Sequence, residues 1–254
     1  MLLLRQLYLF VTFFSGAFAF PLLCDVNSSD CIGLSHIYNS MTFANQSNLP
    51  WKNRTTVCSR KYITCNTRGN VVILDLHNLG LTGIIPPEIN MLKELESLYL
   101  FSNELYGRLP NEIGSLKYLK DLMVSENLFE GPLPVDIGNL SRLTYLGFSY
   151  NKLTGQLPSS IGNLTNLRTF RGDYNQIEGQ IPKTIQYMKS IIYFVMSYNQ
   201  LTGPIPSEIG ELTNVFDIEL HNNYLTSIPN EISKLKYITS LSLGFNQLTG
   251  PIPS

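Results

Sequence analysis

A single asparagine recurs along this chain at a nearly constant spacing. Around each copy lies the frame L-x-x-L-x-L-x-x-N-x-L-x-G-x-I-P, as in residues 164–182 and 235–253. Self-similarity at a period of 24 residues is the signature of a solenoid, in which each repeat forms one coil stacked on its neighbours. The frame asparagines, 24 residues apart with a last step of 23, are Asn103, Asn127, Asn151, Asn175, Asn199, Asn223 and Asn246.

The frame also predicts how one coil folds. The L-x-L segment alternates, which predicts a short strand with its leucines inward and the intervening residues outward. The asparagine amide can donate to and accept from backbone groups of neighbouring coils. The glycine gives a permissive backbone, and the proline opens a segment that cannot join a central ladder. Stacked coils would therefore form a parallel sheet along one face of a curved rod.

The L-x-L-x-x-N core resembles the leucine-rich repeat, and the ending x-G-x-I-P resembles its plant type. That type occurs in the ectodomains of receptor-like kinases and receptor-like proteins and in secreted polygalacturonase inhibitors. The resemblance implies an α/β-type repeat solenoid, a right-handed superhelix with a parallel sheet on its concave face. Residues 71–254 would form about eight coils, the last one incomplete, behind a small disulfide-stapled N-terminal cap over residues 20–70.

The cap shares part of its pattern with the same proteins, which carry a Trp followed by a C-x-W-x-G-V-x-C pair. Trp51 precedes Cys58 and Cys65 at the matching spacing, but Arg60 replaces the second Trp and Tyr62 replaces the Gly. In an exported chain, four cysteines are best explained by two disulfides. Four cysteines allow three pairings, and each adjacent pair is spaced closely enough to form a local disulfide. A zinc site is the alternative, but His36 is the one histidine near the four cysteines. The four cysteines are Cys24, Cys31, Cys58 and Cys65.

The N-terminus predicts export. Residues 1–19 contain Arg5, an apolar run over residues 7–14 and the small-x-small ending Ala17-Phe18-Ala19, which are typical of a cleaved signal peptide. No later apolar run is long enough to span a membrane. We expect a secreted chain, or one held at the cell surface by a partner or by a missing C-terminal region, because the frame stops inside the eighth coil. The N-x-S/T glycosylation sites are Asn27, Asn45, Asn53, Asn139 and Asn163.

Outward strand positions are the predicted ligand-binding residues, because the inward positions are used for packing. Tyr150, Tyr174 and Tyr198 occupy one frame position in consecutive coils, which predicts a ladder about 5 Å apart. Exposed tyrosines beside an arginine are typical of binding hot spots, although such a ladder could also simply cover the strand ends. The predicted ligand-binding residues are Tyr99, Phe101, Tyr145, Tyr150, Arg171, Asp173, Tyr174, Tyr193, Tyr198, Glu219 and His221.

Three coils depart from the frame. The first has Leu79 in place of the asparagine, where a cap rather than a coil lies on one side. The fifth places Gly172 at an inward strand position, which predicts a thin spot in the core. The seventh is one residue short at Thr226-Ser227-Ile228-Pro229 and lacks its glycine, which predicts a local irregularity in curvature.

Charge and motifs exclude several function classes. With 18 Lys+Arg against 19 Asp+Glu the chain lacks the basic surplus of a nucleic-acid-binding protein, and 44% hydrophobic residues argue against disorder. His77 and His221 would lie about 29 Å apart at sheet spacing, so they cannot act together in catalysis. Asp217, Glu219 and His221 could share a strand face, but a recognition strip is favoured there over a metal or acid–base site.

The sequence therefore predicts a non-enzymatic extracellular recognition module without cofactor or metal. Its expected partner is a protein or peptide ligand, with a co-receptor as a further partner, in a receptor-like signalling system. A secreted inhibitor of a polygalacturonase-type hydrolase and a structural or adhesive wall protein remain the alternatives.

Overall fold

A computed structural model of the chain describes residues 28–43, 51 and 56–253. The predicted signal peptide over residues 1–19, Cys24 and the glycosylation sites Asn27, Asn45 and Asn53 lie outside the described residues. No helix in the described part of the chain is long and apolar enough to cross a membrane.

The cap is built on the helix Ser29–Ser40, which begins where the Ser28 side chain accepts a hydrogen bond from the Cys31 amide at 3.3 Å. Trp51 is fully buried and its indole donates to the Lys61 carbonyl at 3.0 Å. Cys58 and Cys65 form a disulfide, in agreement with one of the predicted local pairs. Cys31 is also disulfide-bonded. The cap therefore closes the first coil with a helix and covalent links.

One sheet of nine strands runs the length of the rod and forms its concave face, as predicted. Its first strand pairs antiparallel with the second, and all later pairs are parallel. The register is constant, so that Leu146, Phe170 and Phe194 are direct neighbours in the inward row. The strands are Ile63–Cys65, Val71–Asp75, Ser97–Tyr99, Asp121–Met123, Tyr145–Gly147, Thr169–Arg171, Tyr193–Val195, Asp217–Glu219 and Ser240–Ser242.

A second sheet was not predicted. Apart from the antiparallel cap strand Met41–Phe43, it is formed by the N-x-L-x-G part of the frame, whose leucine is buried and whose glycine has a positive φ, as at Gly179 (φ 74°). A Cβ at Gly179 would lie 2.8 Å from the Gln156 side chain of the preceding coil, so glycine is needed for stacking as well as for the turn. The strands are Met41–Phe43, Leu81–Gly83, Glu104–Gly107, Leu128–Gly131, Lys152–Gln156, Gln176–Gly179, Gln200–Gly203 and Tyr224–Leu225.

Each repeat returns through a 3-10 helix that follows the frame proline. The resemblance implied an α/β-type solenoid, but the one α-helix among the described residues belongs to the cap. A five-residue segment holds less than two full turns, and its isoleucine is buried against the core, as Ile113 is. The 3-10 helices are Val57–Ser59 in the cap and Pro87–Met91, Asn111–Ser115, Val135–Asn139, Ser159–Asn163, Lys183–Tyr187, Ser207–Glu211 and Asn230–Lys234 in the coils.

The frame asparagines tie each coil to the one before it. The Asn127 amide nitrogen donates to the Leu100 carbonyl of the preceding coil at 2.9 Å and to the Val124 carbonyl of its own coil at 3.2 Å. Its amide oxygen accepts from the Leu105 backbone at 2.9 Å. The same bonds recur along the row, and they satisfy backbone groups that would otherwise be buried without partners.

The prediction of a thin spot in the core at Gly172 is wrong. Phe148, in the preceding coil, extends its ring over this position, and a Cβ on Gly172 would lie 2.1 Å from that ring and 2.8 Å from the Met196 sulfur. Phe148 packs edge-on against Phe170 at 5.3 Å between ring centroids. The missing side chain is compensated by a larger neighbour, and the core is continuous.

The short seventh coil changes the second sheet, not the concave one. Its second-sheet strand has only two residues, Tyr224–Leu225. The concave strands on either side keep their register, with Asp217 opposite Ser240 and Glu219 opposite Ser242. The deletion is therefore absorbed away from the concave face.

The asparagine row predicts a large loss of stability on truncation. Asn199→Ala should lower the free energy of unfolding by about 1–3 kcal/mol, because it leaves buried backbone groups unpaired. Asn214→Ala is the matched control, since that exposed side chain donates only to the Lys189 carbonyl. Urea unfolding of both variants measures the difference, and equal midpoints would contradict this role.

The packing of Phe148 over Gly172 predicts a coupled pair of substitutions. Gly172→Ala alone should cost about 1–3 kcal/mol through overpacking. Phe148→Leu as a single substitution should also lower stability. In the double variant the smaller leucine leaves space for the methyl group that Gly172→Ala adds, so a double-mutant cycle should give a favourable coupling energy. Additive effects in urea unfolding would show that the two side chains do not compete for one space.

Candidate functional site

The predicted ligand-binding residues converge on the concave face between the fourth and seventh coils. Tyr145 and Tyr193 stand in one row with Thr169 between them, and Arg171 and Glu219 stand in the next row with Val195 between them. Val195 is buried in this row. Tyr99 and Phe101 lie apart in the second coil, where Phe101 stacks on His77 at 4.6 Å. We call the fourth-to-seventh-coil group, with Asp173, His221 and the three stacked tyrosines, the concave patch.

The predicted tyrosine ladder is present. Ring centroids of Tyr150 and Tyr174 are 4.3 Å apart and those of Tyr174 and Tyr198 are 4.2 Å apart, with planes inclined by 12° and 13°. The three residues follow the strands instead of lying on them, and each adopts a left-handed backbone with φ between 52° and 54°. His221 closes one end of the ladder, edge-on to Tyr198 at 5.2 Å.

Stacking limits what the ladder can offer to a ligand. The inner ring faces are covered by one another, although 51%, 39% and 40% of Tyr150, Tyr174 and Tyr198 remain exposed. The hydrogen bond with the neighbouring Tyr198 hydroxyl, together with burial, raises the pKa of Tyr174 to about 12.

Below the ladder, buried hydroxyls fix the charged and polar side chains of the face. Ser149 donates to the Asp173 carboxylate at 2.5 Å. His221 Nδ1 is hydrogen-bonded to Ser197 at 2.8 Å and to Ser242 at 3.1 Å. These bonds cross from coil to coil, so Asp173 and His221 are each oriented by a neighbouring coil.

Arg171 is the exposed cation of the patch. Among the described residues no carboxylate forms an ion pair with it. The Tyr145 ring lies beside it over Gly147, where a Cβ would lie 2.8 Å from the ring. The row therefore presents an uncovered guanidinium next to a flat aromatic surface, the kind of group that binds a carboxylate.

Two carboxylates lie two coils further along the same face. Burial raises the pKa of Glu219, the negative charge of Asp217 and its hydrogen bond raise it further, and His221 and Arg171 act in the opposite direction. Asp217 Oδ1 is buried and has no hydrogen-bond partner. Arg171 and Glu219 are about 10 Å apart at sheet spacing, so the patch has a basic and an acidic end.

The low net charge hides two edges of opposite sign, which sequence analysis missed. The edge leading into the concave strands of the third to sixth coils carries exposed cations and no acids within residues 117–120, 141–144, 165–168 and 189–192. Two of these cations form ion pairs with neighbouring coils, Lys120 with Glu96 at 2.6 Å and Lys189 with Glu211 at 2.8 Å. The opposite edge is mostly acidic. Grouping the charged residues by their position in the repeat frame would have revealed both edges from the sequence. The cations are Lys117, Lys120, Arg142, Arg168 and Lys189, and the acids are Glu104, Glu126, Glu130 and Glu178.

Other surfaces carry less chemistry. A groove of about 1100 Å³ follows the frame prolines between the second sheet and the 3-10 helices, with Arg108 and Lys183 as its charged lining residues. Asn139 and Asn163 are exposed at the ends of 3-10 helices, away from the concave face. No group of three or more His, Cys, Asp or Glu side chains within the described ranges could hold a metal ion.

Known proteins share this architecture. The sequence model described as Leucine Rich Repeat matches residues 94–116, 142–164 and 190–212. The PEPR1–AtPEP1 crystal structure is 32% identical over 89% of this chain, with a TM-score of 0.85. The LRR ectodomain of the plant membrane receptor kinase GASSHO1/SCHENGEN3 from Arabidopsis thaliana, in complex with CASPARIAN STRIP INTEGRITY FACTOR 2, is 31% identical over 89% of this chain, with a TM-score of 0.77. The chain is a plant-type leucine-rich-repeat protein.

This leucine-rich-repeat chain spans only 32% and 30% of those two chains. A plant ice-binding protein is nearer in length: the match is 25% identical, covers 91% of this chain and 90% of that one, and has a TM-score of 0.69. One repeat architecture thus serves different functions, so function has to be argued from the concave patch and not from the fold.

The carboxylate pair predicts a pH-dependent stability. Because the pKa of Glu219 is raised in the folded state, its ionised form destabilises the fold. This destabilisation is absent at pH values below the ordinary glutamate pKa and is complete at pH values above the raised pKa of folded Glu219. Glu219→Gln should therefore raise the urea midpoint at neutral pH, and the gain should shrink as the pH falls through that window. Glu130→Gln on the second sheet is the control, and a gain independent of pH would contradict the assignment.

Proposed function

We propose that this leucine-rich-repeat protein is an extracellular recognition module that binds a protein or peptide ligand on the concave patch. The exposed tyrosine ladder beside the unpaired Arg171 is the observation that carries the proposal. Tyrosine and arginine dominate binding hot spots, and a tyrosine held by stacking loses little conformational entropy on binding.

The role in receptor-like signalling is supported by the kinds of protein that share the architecture. Plant peptide hormone receptor RGFR1 in complex with RGF2 is 38% identical over 68% of this chain. The receptor kinase HAESA in complex with the peptide hormone IDA and the co-receptor SERK1 is 25% identical over 89% of this chain. A peptide ligand and a co-receptor are the corresponding partners that we propose here.

The charges of the concave patch suggest what such a peptide would carry. A ligand carboxylate would reach Arg171 and a ligand cation would reach Asp217 and Glu219, about 10 Å further along the rod. An extended peptide rises about 3.3 Å per residue, so an acidic and a basic residue three positions apart would span the two ends. The tyrosine hydroxyls and edges would contact the backbone and apolar side chains between them.

A displayed library of random linear peptides tests both the face and the spacing. Selection on the full chain should enrich peptides with an acidic and a basic residue three positions apart. The variant Tyr150→Ala, Tyr174→Ala, Tyr198→Ala should weaken their binding by at least about 30-fold, corresponding to hot-spot losses of about 2 kcal/mol or more.

Three tyrosines of similar exposure elsewhere provide the matched control: Tyr106→Ala, Tyr118→Ala, Tyr187→Ala should leave binding unchanged. Circular dichroism checks that both triple variants remain folded. The concave patch is not the ligand site if the enriched peptides bind the ladder variant with wild-type affinity. The same conclusion follows if the Tyr106, Tyr118 and Tyr187 variant is the only one that they bind more weakly.

A further inference from the structure

The tyrosine ladder brings together groups with a reactivity that ligand binding does not use. A phenol that loses an electron and a proton becomes a phenoxyl radical, whose unpaired spin lies partly on the ring carbons next to the C–O bond. Two such radicals combine at those carbons. Holding two rings side by side replaces a bimolecular encounter with an intramolecular one, which raises the effective concentration of the partner ring greatly.

The ladder meets the two structural requirements for this reaction. Its rings are exposed, so that an oxidant can reach them, and each neighbouring pair is already in van der Waals contact at 4.2 or 4.3 Å between centroids. Tyr174 is the middle ring and belongs to both pairs. We propose that the ladder is a site of oxidative cross-linking, at which a haem peroxidase with hydrogen peroxide joins Tyr174 to Tyr150 or Tyr198.

The reaction balances as a two-electron oxidation. Each of two phenols gives up one electron and one proton, and one hydrogen peroxide takes both electrons and both protons to become two waters. The two radicals then form one carbon–carbon bond, and the ring hydrogens at the joined carbons move to the oxygens and restore both phenols. The product is two hydrogen atoms lighter than the parent chain, and the bond resists thiol reductants.

Exposure alone does not select these residues. Tyr187 and Tyr237 are more exposed, at 55% and 58%, but no tyrosine ring stacks on either within the described part of the chain. Tyr145 and Tyr193 share the concave face, but the strand of Thr169 separates them. Among the described tyrosines, only those of the ladder stack in pairs that can couple within one molecule.

Coupling would change the concave patch permanently. A bond between neighbouring rings fixes two adjacent coils to one another and moves the ring edges that a ligand would contact. Oxidation would thus alter any binding at this face without unfolding the rod. The inference rests on ring geometry and stands whether or not a peptide binds there.

The experiment treats the purified full chain with hydrogen peroxide and a haem peroxidase at several protein concentrations, followed by trypsin and mass spectrometry. We expect a linked peptide two hydrogens lighter that joins the tryptic peptides of Tyr150 and Tyr174, or of Tyr174 and Tyr198. Its yield should not depend on protein concentration, because the reaction occurs within one molecule.

Phenylalanine variants separate the pairs while keeping the stacked ring. Tyr174→Phe should abolish every linked ladder peptide, because Tyr150 and Tyr198 are then two coils apart. Tyr150→Phe should leave only the Tyr174–Tyr198 link, and Tyr198→Phe only the Tyr150–Tyr174 link. Tyr187→Phe is the matched control, since that tyrosine is 55% exposed and has no stacked tyrosine within the described residues, and it should leave the ladder links unchanged.

Three outcomes would overturn the proposal. Linked ladder peptides that persist in Tyr174→Phe would place the bond elsewhere. Links that grow with protein concentration and occur at Tyr187 or Tyr237 would show coupling between molecules by exposure alone. Oxidation that consumes the peroxide without any linked peptide would show that the stacked rings do not couple.

Discussion

From the second coil onward, the rod depends on one asparagine amide per coil. A frame asparagine such as Asn199, 7% exposed, bridges the Gly172 carbonyl of one coil, the Met196 carbonyl of its own coil and the Ile177 amide. Leucine burial supplies most of the favourable energy of stacking, but it is not directional and would tolerate sliding. The amide bonds are directional, and leaving them unmade is costly. They set the spacing and register with which every other position repeats.

A fixed register turns each frame position into a column along the rod, and this creates the concave patch. The position before each frame asparagine has a left-handed backbone in every coil, whether the residue is Asn78, Ser102, Tyr174 or Phe245. That backbone costs a tyrosine about 1–2 kcal/mol, while a stacked aromatic pair gains about 0.5–1.5 kcal/mol beyond its buried area. Three tyrosines with this backbone therefore cost about 3–6 kcal/mol, and their two stacked pairs offset about 1–3 kcal/mol of it. Stacking alone therefore does not explain their presence at this position.

The parts of the structure that follow from the period were predictable from sequence, and the parts that follow from contacts between particular side chains were not. The concave strands, the asparagine row and the stacking of Tyr150, Tyr174 and Tyr198 all result from equal spacing. The second sheet was missed because its strands are short and end in glycine, a pattern that also signals a turn. Gly172 was misjudged because its compensation comes from Phe148, which is 24 residues away in sequence.

The same distinction applies to charge. The net charge of the chain is only -1, yet the charges are sorted by frame position. Arg171 and Glu219 share one row two coils apart, and burial together with the charge of Asp217 on the same strand raises the pKa of Glu219. In a solenoid a charge keeps its place along and across the rod, so opposite charges cancel in the total without cancelling at the surface. A ligand that spans two or three coils senses this local pattern within the Debye length of about 8 Å at physiological salt, and the total charge of the chain hardly affects it.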